Sequence, residues 1–449
     1  MPNKYKIKKG LDIKMLGEAE KVIKDFQSDY YALKPTDFHG VFPKMLVGEG
    51  DKVKAGSPVF YDKYRDETIF TSPVSGTIEE VRRGPKRVLM EIRIKADKEI
   101  EYEDFGAADP GMLSREEIIE KMLKSGVWPM IRQRPYSVIA NPKDTPKAIF
   151  ISGFDSSPLA PDFDLIVHGH GKEFQAGLDT LKKLTDGKLH LNIEDVEGQS
   201  KVFLNSKNVE LNAFSGPHPA GNISTQVQLI DPVNKGDVIW YLRPQEVISI
   251  GTLFLEGKFD AKRIVALTGS EVLKTGYLKT HIGACIEKMV DGNTTGVKNR
   301  YISGNVLTGA KIERNGFISF YDSQITVIPE GDEYEFFGWA APGLKKYSFY
   351  NAFLSKIFPG KKYRLNTNLH GGERAFVLTG QYEKVFPMDI YPMQLLKAIM
   401  TEDIDMMEQL GIYEIDEEDF ALCEYIDVSK TDMQSIVREG INLMRKEME

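Results

Sequence analysis

Cysteine is scarce in this sequence, and long uncharged apolar runs are missing. Only Cys285 and Cys423 occur among the 449 residues, which excludes a disulfide framework and any four-cysteine zinc or iron–sulfur site built by this chain alone. No window approaches the ~18 uncharged apolar residues that a membrane-spanning helix needs. Residues 1–9 are basic, but no apolar stretch or cleavage site follows them, so we predict no signal peptide. The simplest interpretation is a cytoplasmic, thiol-reduced and water-soluble protein.

Common catalytic and nucleotide-binding motifs are missing as well. The sequence contains no G-x-x-x-x-G-K-S/T loop, no G-x-G-x-x-G at a strand-to-helix junction, no H-E-x-x-H and no G-x-S-x-G. His168 and His170 form the only close histidine pair, and we favour a turn at the end of a strand over a pair of metal ligands. We therefore predict no catalytic residue and no metal ligand in this chain.

Charge is distributed unevenly along the chain. The 58 lysines and arginines against 66 aspartates and glutamates give a net charge of −8. Residues 401–449 carry 15 acidic and four basic side chains, a net charge of −11. We interpret this acidic region as a solvated helical surface, with a docking surface for a basic partner as the alternative. No basic stripe of the kind that phosphate backbones require is present, so we do not expect nucleic-acid binding.

A chain of this length is expected to form two to four domains. We predict a multidomain α/β protein with four regions. These are a biotinyl/lipoyl-carrier-like β domain (1–100), a Rossmann-like α/β domain (101–250), a β-grasp domain of the SLBB-like type (251–330) and a mainly helical C-terminal domain (331–449).

The first region alternates short apolar strands with Gly-Asp and Pro-Gly turns. Residues 43–60 and 70–78 resemble the two halves of the flattened barrel found in biotinyl and lipoyl carriers. The hairpin between them, residues 61–67, lacks the E-x-M-K-M signature, so we do not expect Lys63 to carry biotin or lipoate. We interpret this region as a docking module, and a carrier protein modified at Lys63 is the alternative.

The second region shows a mixed strand and helix pattern. Ser114 and Glu117 form a capping box, which predicts a helix that ends at Gly126. Apolar residues at helical spacing predict a second helix over residues 172–184. Buried strands are predicted over 147–153, 163–169 and 189–193. This alternation favours a parallel sheet with crossover helices.

The remaining regions are predicted from shorter signals. Strands over 251–257 and 263–269, a helix over 280–289 and a strand over 300–304 would form a β-grasp unit. In the C-terminal region, Thr431 and Gln434 form a second capping box, which predicts a helix that continues to Lys446.

Several segments, taken together and in order, resemble one known family. They are residues 6–13, 43–53, 126–137, 214–222 and 371–375. They resemble the A subunit of the sodium-translocating NADH:quinone reductase (Na⁺-NQR). That family is in turn similar to the flavin- and NADH-binding subunit of complex I and to the C subunit of the Rnf complex. The resemblance implies the Rossmann-like, β-grasp and helical domains.

The same resemblance implies a place in a membrane complex. The chain would be a peripheral subunit on the cytoplasmic side of the bacterial inner membrane, in a complex that passes electrons from NADH to ubiquinone and moves Na⁺ outward. Its partners would be subunits B to F. NADH, FAD, FMN, riboflavin and iron–sulfur cofactors would be bound by those partners, and the isolated chain would not be catalytic.

Three departures from the flavin-bearing relatives indicate that this chain binds none of those cofactors. Where the relatives have a glycine-rich loop after a helix, this chain continues from Gly126 with Trp128, Pro129 and other bulky residues, which would block a nucleotide from the backbone. Residues 154–159 replace the glutamate-rich turn beside the nicotinamide. Cys423 alone stands where the relatives hold an iron–sulfur cluster, which needs four ligands.

Contact with quinone is a further implication of the family. A quinone head group needs a flat apolar slot and one or two hydrogen-bond donors, and residues 35–42 and 128–136 combine both. The candidate walls are Phe38, Phe42 and Trp128, and the candidate donors are His39, Arg132, Arg134 and Tyr136. These residues could instead pack a domain interface or hold a partner subunit, with the arginines pairing with that partner's carboxylates. A stand-alone NADH-binding flavoprotein and a purely structural docking subunit stay open as alternative functions.

Overall fold

A computed structural model describes residues 2–296, 298–332, 335–338, 340–377 and 380–448. The strands are β1 (Asn3–Lys6), β2 (Ile23–Asp25), β3 (Tyr30–Leu33), β4 (Pro43–Met45), β5 (Lys52–Val53), β6 (Pro58–Asp62), β7 (Arg65–Thr71), β8 (Gly76–Arg83), β9 (Leu89–Ala96), β10 (Arg132–Arg134), β11 (Val138–Ile139), β12 (Ala148–Ser152), β13 (Lys188–Glu194), β14 (Glu210–Ser215), β15 (Ile239–Leu242), β16 (Lys262–Thr268), β17 (Gly276–His281), β18 (Asn299–Ser303), β19 (Ala310–Ile312) and β20 (Gln324–Pro329).

The α-helices follow the same chain order. They are α1 (Arg115–Ser125), α2 (Phe163–Ile166), α3 (Gly171–Lys182), α4 (Lys201–Leu204), α5 (Ile223–Ile230), α6 (Pro244–Glu256), α7 (Glu287–Val290), α8 (Pro392–Met400), α9 (Ile404–Gln409), α10 (Ala421–Ile426) and α11 (Met433–Met448). Within the described ranges, no helix combines the length and apolar character needed to cross a bilayer.

The largest sheet has seven strands in the order β1-β14-β13-β12-β15-β10-β11. Strands β14, β13, β12 and β15 run parallel, and β10 and β11 complete the sheet through antiparallel pairings. Every residue of β12 is buried, as expected for a strand covered on both faces. The prediction of a parallel sheet with crossover helices is confirmed. The chain order reverses beside β12, which leaves a crevice at the carboxyl ends of β12 and β15.

Helix α1 joins this sheet region to the first region. Its capping box is present, because Ser114 accepts from the Glu117 N–H and Glu117 accepts from the Ser114 N–H. The helix ends at Gly126, which adopts a left-handed conformation with φ of 76°. A Cβ there would lie 2.1 Å from the Thr71 hydroxyl, so glycine permits the close approach of the helix end to β7. The predicted helix and its end are confirmed.

Two small antiparallel sheets, β3-β9-β8-β5 and β4-β6-β7, form most of the first region. Phe60 and Phe70 stack between β6 and β7 with ring centroids 4.3 Å apart, and Lys63 lies in the turn that joins these strands. The strands in the first 25 residues belong to other sheets, because β1 pairs with β14 and β2 pairs with β17. The sequence did not predict these two pairings.

The six-stranded sheet has the order β19-β18-β20-β16-β17-β2, and two predictions near it are wrong. Residues 251–257 form the end of helix α6 and its C-cap rather than a strand. The run is apolar because α6 is buried against α3, where a Cβ on Gly251 would lie 1.8 Å from the Glu173 carbonyl oxygen. A buried helix lacks the polar face that would identify it.

The predicted helix over residues 280–289 is also wrong. Its beginning belongs to β17, which pairs with β16 from the Lys262–His281 pair to the Leu267–Gly276 pair, and only the short α7 follows. The ladder with β16 uses the backbone groups that a helix would need. The predicted strands over 263–269 and 300–304 correspond to β16 and β18 and are confirmed.

The predicted strand over residues 163–169 is wrong as well. Asp162 accepts from the Leu165 N–H at 3.1 Å and starts the short helix α2, because an aspartate at this position satisfies a free first-turn donor. His168 and His170 therefore lie in the turn between α2 and α3 instead of at a strand end. The flanking elements β12, β13 and α3 are confirmed.

The C-terminal helices form a second apolar core with the large sheet. Met393, Phe420 and Met433 pack there in one cluster with Phe150 of β12 and Tyr241 of β15. Helix α11 is confirmed, but its predicted capping box is wrong. Asp432 accepts from the Ser435 N–H and Glu424 accepts from the Gln434 N–H, so these carboxylates cap the helix in place of the Thr431 hydroxyl.

Candidate functional site

Trp128 begins the segment that connects α1 to β10. Residues Trp128–Met130 form a single 3₁₀ turn, and the indole is completely buried. Its Nε1 donates to the Ala140 carbonyl oxygen at 2.8 Å, and its ring packs edge-on against Trp240, with centroids 5.4 Å apart. The indole ring of Trp128 and its N–H donor thus both make their contacts within the chain.

Phe38 is buried and connects the first region to the third. Its ring lies 4.6 Å from that of Phe70 and 4.9 Å from that of Phe320. Tyr321 lies next to it, and its hydroxyl donates to the Pro129 carbonyl oxygen. The two predicted stretches, 35–42 and 128–136, therefore meet at Tyr321, which the sequence did not single out.

His39 and Phe42 have accessible surface. Phe42 is 55% exposed and packs edge-on against the exposed Tyr64. The Nε2 of His39 lies 3.3 Å from Glu417 Oε1. This end of the 35–42 stretch is open to a ligand or to a partner, whereas Phe38 is not.

Arg134 is buried in an ionic cluster of this chain, which we define as Arg134, Asp416, Glu417, Glu418 and Arg438. Its Nη1 lies 3.0 Å from Asp416 Oδ2 and its Nη2 lies 3.3 Å from Glu418 Oε1. Arg438 pairs with Asp416 at 2.7 Å and also with Glu417. The prediction that Arg134 would pair with a partner's carboxylates is not needed, because the chain supplies its own.

The ionic cluster shifts the pKa values of its members. Burial lowers the pKa of a guanidinium, but the Asp416 carboxylate outweighs burial and raises the pKa of Arg134. Burial also acts to raise the pKa of Asp416, but Arg134 and Arg438 hold that pKa below its usual range. Tyr136 borders the cluster with φ of 80°, and its carbonyl oxygen accepts from Arg438 at 3.0 Å. The cluster thus connects the C-terminal helices to β10.

Arg132 has a different environment. Its guanidinium lies between two aromatic rings, 4.6 Å from the Tyr241 centroid and 4.4 Å from the Tyr321 centroid. Its Nε is buried without a hydrogen-bond partner, and within the described ranges no ion pair forms with it. Arg132 is therefore held in place by cation–π contacts.

A polar cavity of about 160 Å³ opens beside Arg132, at the carboxyl ends of β12 and β15. The third region and Glu418 close it on the other side. The charged and amide side chains that matter for its chemistry are Arg132, Asp155, His218, Asn222, Arg243 and Asp322. The location agrees with the rule that open α/β sheets bind ligands where the strand order reverses.

Burial and pairing set the charges around this cavity. Burial opposes ionisation of Asp155, but Arg243 and the Ser157 N–H outweigh it and lower the pKa of Asp155. Burial lowers the pKa of His218 to about 4, so this ring is neutral at pH 7. Burial raises the pKa of Asp322 and of Glu418.

The segment after Gly126 and the position of Cys423 bear on flavin and iron–sulfur binding. No glycine occurs between residues 127 and 137, so every residue of that segment carries a side chain. Cys423 is buried, and within the described ranges no group of three or more His, Cys, Asp or Glu side chains is placed to hold a metal ion.

Three family descriptions match consecutive parts of the chain. An NqrA N-terminal barrel-sandwich hybrid domain matches residues 5–97, an NqrA second alpha/beta domain matches 113–259, and an NQRA C-terminal domain matches 264–314. The A subunit of the Na(+)-translocating NADH-quinone reductase from Yersinia pseudotuberculosis is 38% identical over 446 residues, which cover 98% of this chain and 99% of the relative. The chain belongs to this NqrA family. The resemblance drawn from sequence is confirmed, as is the prediction that the chain is one subunit of this oxidoreductase.

Other relatives agree. The Serratia proteamaculans NqrA is 38% identical over 448 residues and the Neisseria meningitidis NqrA is 37% identical over 446, each covering 98% of this chain and 99% of the relative. A solved NAD⁺-reducing nickel–iron hydrogenase aligns over 75% of this chain and 64% of its own, at 9% identity and a TM-score of 0.39. That likeness is too slight to support a conclusion. A mixed α/β multidomain fold, as predicted, fits the matched NqrA domains.

Sequence reasoning selected Arg132 but missed most of its surroundings. Tyr241 and Arg243 belong to the run of residues 239–243, where an apolar strand is followed by Arg and then by Pro244 at a helix start. That pattern is typical of a buried strand followed by a helix, so it could have predicted both elements. His218 lay within a segment that carried the family resemblance, and Tyr321 had no local signal.

Proposed function

We propose that this chain is a peripheral Na⁺-NQR subunit on the cytoplasmic side of the bacterial inner membrane, docked on subunits B to F, and that it binds no NADH, flavin or iron–sulfur cluster of its own. The complete burial of Trp128 carries this proposal. A side chain of that size, with its Nε1 bonded to Ala140, occupies the start of the segment where a flavin-binding relative needs bare backbone.

We also propose the four domain types and the boundaries at residues 100 and 330. The boundary predicted at residue 250 falls inside helix α6, so we propose that the Rossmann-like domain continues to the end of that helix. The two small sheets support a biotinyl/lipoyl-like domain, the seven-stranded sheet supports a Rossmann-like domain, and the six-stranded sheet supports an SLBB-like β-grasp domain. Helices α8 to α11 support a helical C-terminal domain. Strands β1 and β2 cross from the first region into the second and third.

Cofactor binding by the purified full-length chain tests the proposal. We expect no flavin absorbance after purification and no saturable heat in calorimetric titrations with FMN or NADH. Stoichiometric binding of either would overturn the proposal, and reduction of added flavin by NADH would favour the stand-alone flavoprotein. Purification from membranes should recover the chain with flavin-containing companion subunits.

For quinone or partner contact, we propose the accessible end of the predicted set. His39 and Phe42 would form the contact, together with the neighbouring Tyr64, which is 66% exposed. Phe38, Trp128, Arg134 and Tyr136 would hold this surface in position through the packing and ion pairs described above, and Arg132 faces the cavity.

Photo-crosslinking of a quinone analogue in the assembled complex tests this surface. The double substitution His39→Ala and Phe42→Ala should lower labelling of this chain while assembly survives. Met112→Ala is the matched control, because Met112 is exposed and lies outside the surface. Unchanged labelling would remove the quinone contact. If the double variant no longer assembles with the other subunits, the purely structural docking role is favoured.

A further inference from the structure

The cavity at the carboxyl ends of β12 and β15 contains hydrogen-bond donors that the described part of the chain leaves without acceptors. The Arg132 guanidinium lines it between two tyrosine rings, and its Nε has no partner. The buried Ser157 hydroxyl lies near the Asp155 carboxylate but not in hydrogen-bonding geometry. Asn222 is buried at the start of α5 and lines the same cavity, so its side-chain amide can donate to a group bound there.

The acceptors around the same cavity already have donors from within the chain. Asp155 accepts from the Ser157 N–H at 2.8 Å and lies 3.5 Å from Arg243 Nη1. Asp322 accepts from the Ser303 hydroxyl. Glu418 accepts from Arg134 Nη2 at 3.3 Å. Each of these carboxylates thus has at least one donor from the chain, whereas the Nε of Arg132 has no acceptor within the described ranges, so the group that Arg132 lacks is an acceptor.

The charge at the cavity agrees with this. A guanidinium stays protonated at any ordinary pH, so Arg132 brings a positive charge that no ion pair in the described ranges neutralises. Burial raises the pKa of Asp322 and Glu418, which disfavours negative charge on both. Asp155 is ionised but is matched by Arg243.

We propose that this cavity binds a small oxyanion, a carboxylate or a phosphate group, with Arg132 as the charged donor and Asn222 and Ser157 as neutral donors. A guanidinium presents paired N–H groups that match two oxygens of such an anion. The volume of about 160 Å³ suits a small group and not a nucleotide. The proposal is independent of the quinone contact, because it uses the cavity and not the surface of His39 and Phe42.

Calorimetric titration of the purified full-length chain with inorganic phosphate, and separately with succinate, tests the proposal at constant ionic strength. We expect one saturable site for at least one probe, and the probe that binds tells phosphate from carboxylate. Arg132→Met keeps an apolar stem between Tyr241 and Tyr321 but removes the donors, so it should weaken binding by about tenfold or more. Arg314→Met is the control, because Arg314 is an exposed arginine paired with Asp291, and its affinity should be unchanged.

Two results would overturn the proposal. One is the lack of saturable binding by the wild-type chain for both probes at millimolar concentration. The other is equal affinity of the wild type and of Arg132→Met, with circular dichroism showing that the variant is folded. If that variant does not fold, Ser157→Ala decides, because it removes a hydroxyl that makes no hydrogen bond within the described ranges. It should weaken binding without changing the melting temperature, and unchanged affinity would overturn the proposal.

Discussion

The ionic cluster around Arg134 and the cavity beside Arg132 lie next to each other, because both arginines belong to strand β10. The two arginines nevertheless have opposite surroundings, since Arg134 is buried and Arg132 is half-buried. Arg134 is paired with two carboxylates of the chain. Arg132 is held by two aromatic rings, and within the described ranges it has no such pair. Both side chains also contact the same ring, that of Tyr241. The strand on which an arginine lies therefore does not decide whether it forms ion pairs within the chain or can bind a ligand. The elements that pack over the side chain decide this.

The largest expected effect is the loss of the paired arginine. Arg134→Met should lower the free energy of unfolding by about 3–5 kcal/mol, because the buried Asp416 and the half-buried Glu418 would have one cation fewer. Urea denaturation followed by tryptophan fluorescence measures this, since Trp128 and Trp240 lie in the same sheet region. Arg314→Met, at an exposed position, should change stability by less than about 0.5 kcal/mol. Similar losses in the two variants would contradict the role given to the ionic cluster.

Asp419, a buried carboxyl next to the ionic cluster, should respond to pH. The pKa of Asp419 is raised to about 7, first by burial and then by the nearby Glu418. A carboxyl whose pKa is raised on folding contributes stability below its unfolded pKa near 4, and that contribution is lost as pH rises through 7. Asp419→Asn should therefore stabilise the protein by about 2 kcal/mol more at pH 8 than at pH 5. Melting temperatures at the two pH values measure this, and an effect equal at both would contradict the raised pKa.

A smaller effect is expected for the unpaired arginine. Arg132→Met removes two cation–π contacts, which are worth about 1–2 kcal/mol together, and leaves the carboxylates of the ionic cluster with their own cations. The loss in urea denaturation should thus be well below that of Arg134→Met. Equal losses would mean that Arg132 has the same structural role as Arg134, and the contrast between them would disappear.

The smallest effect is expected at the accessible edge of the cluster. His39→Gln removes the contact with Glu417, which is partly exposed and screened by solvent, so the free energy of unfolding should change by less than about 0.5 kcal/mol. Any change should shrink further as salt is raised. A loss that approached that of Arg134→Met would place His39 among the structural members of the cluster.

Local signals were sufficient for the elements whose sequence pattern has one interpretation. The capping box of Ser114 and Glu117 fixed α1, and the apolar runs of β12 and β13 indicated buried parallel strands. The prediction for residues 251–257 failed because α6 is buried over most of its surface, so its apolar run shows no clear helical periodicity. The helix predicted over residues 280–289 was wrong because the first of these residues belong to β17, which pairs with β16. A local sequence pattern does not indicate such a pairing between strands.

The candidate site was predictable only in part. The bulky residues after Gly126 were visible in the sequence, and Arg132 could be selected as a donor. Its surroundings could not, because Tyr241 and Tyr321 come from distant parts of the chain. The carboxylates that neutralise Arg134 come from the acidic C-terminal region, which the sequence assigned to a solvated surface.

The pairing of β1 with β14 has a consequence for how the chain is made. Asn3 aligns with Asn212 and Ile23 aligns with Tyr277, so the first strands leave the ribosome long before their partners exist. Until then, their backbone donors and acceptors stay free to pair with other chains. Contacts between such distant residues also slow folding. During synthesis, strands β1 and β2 therefore stay without their native sheet partners until β14 and β17 have been made.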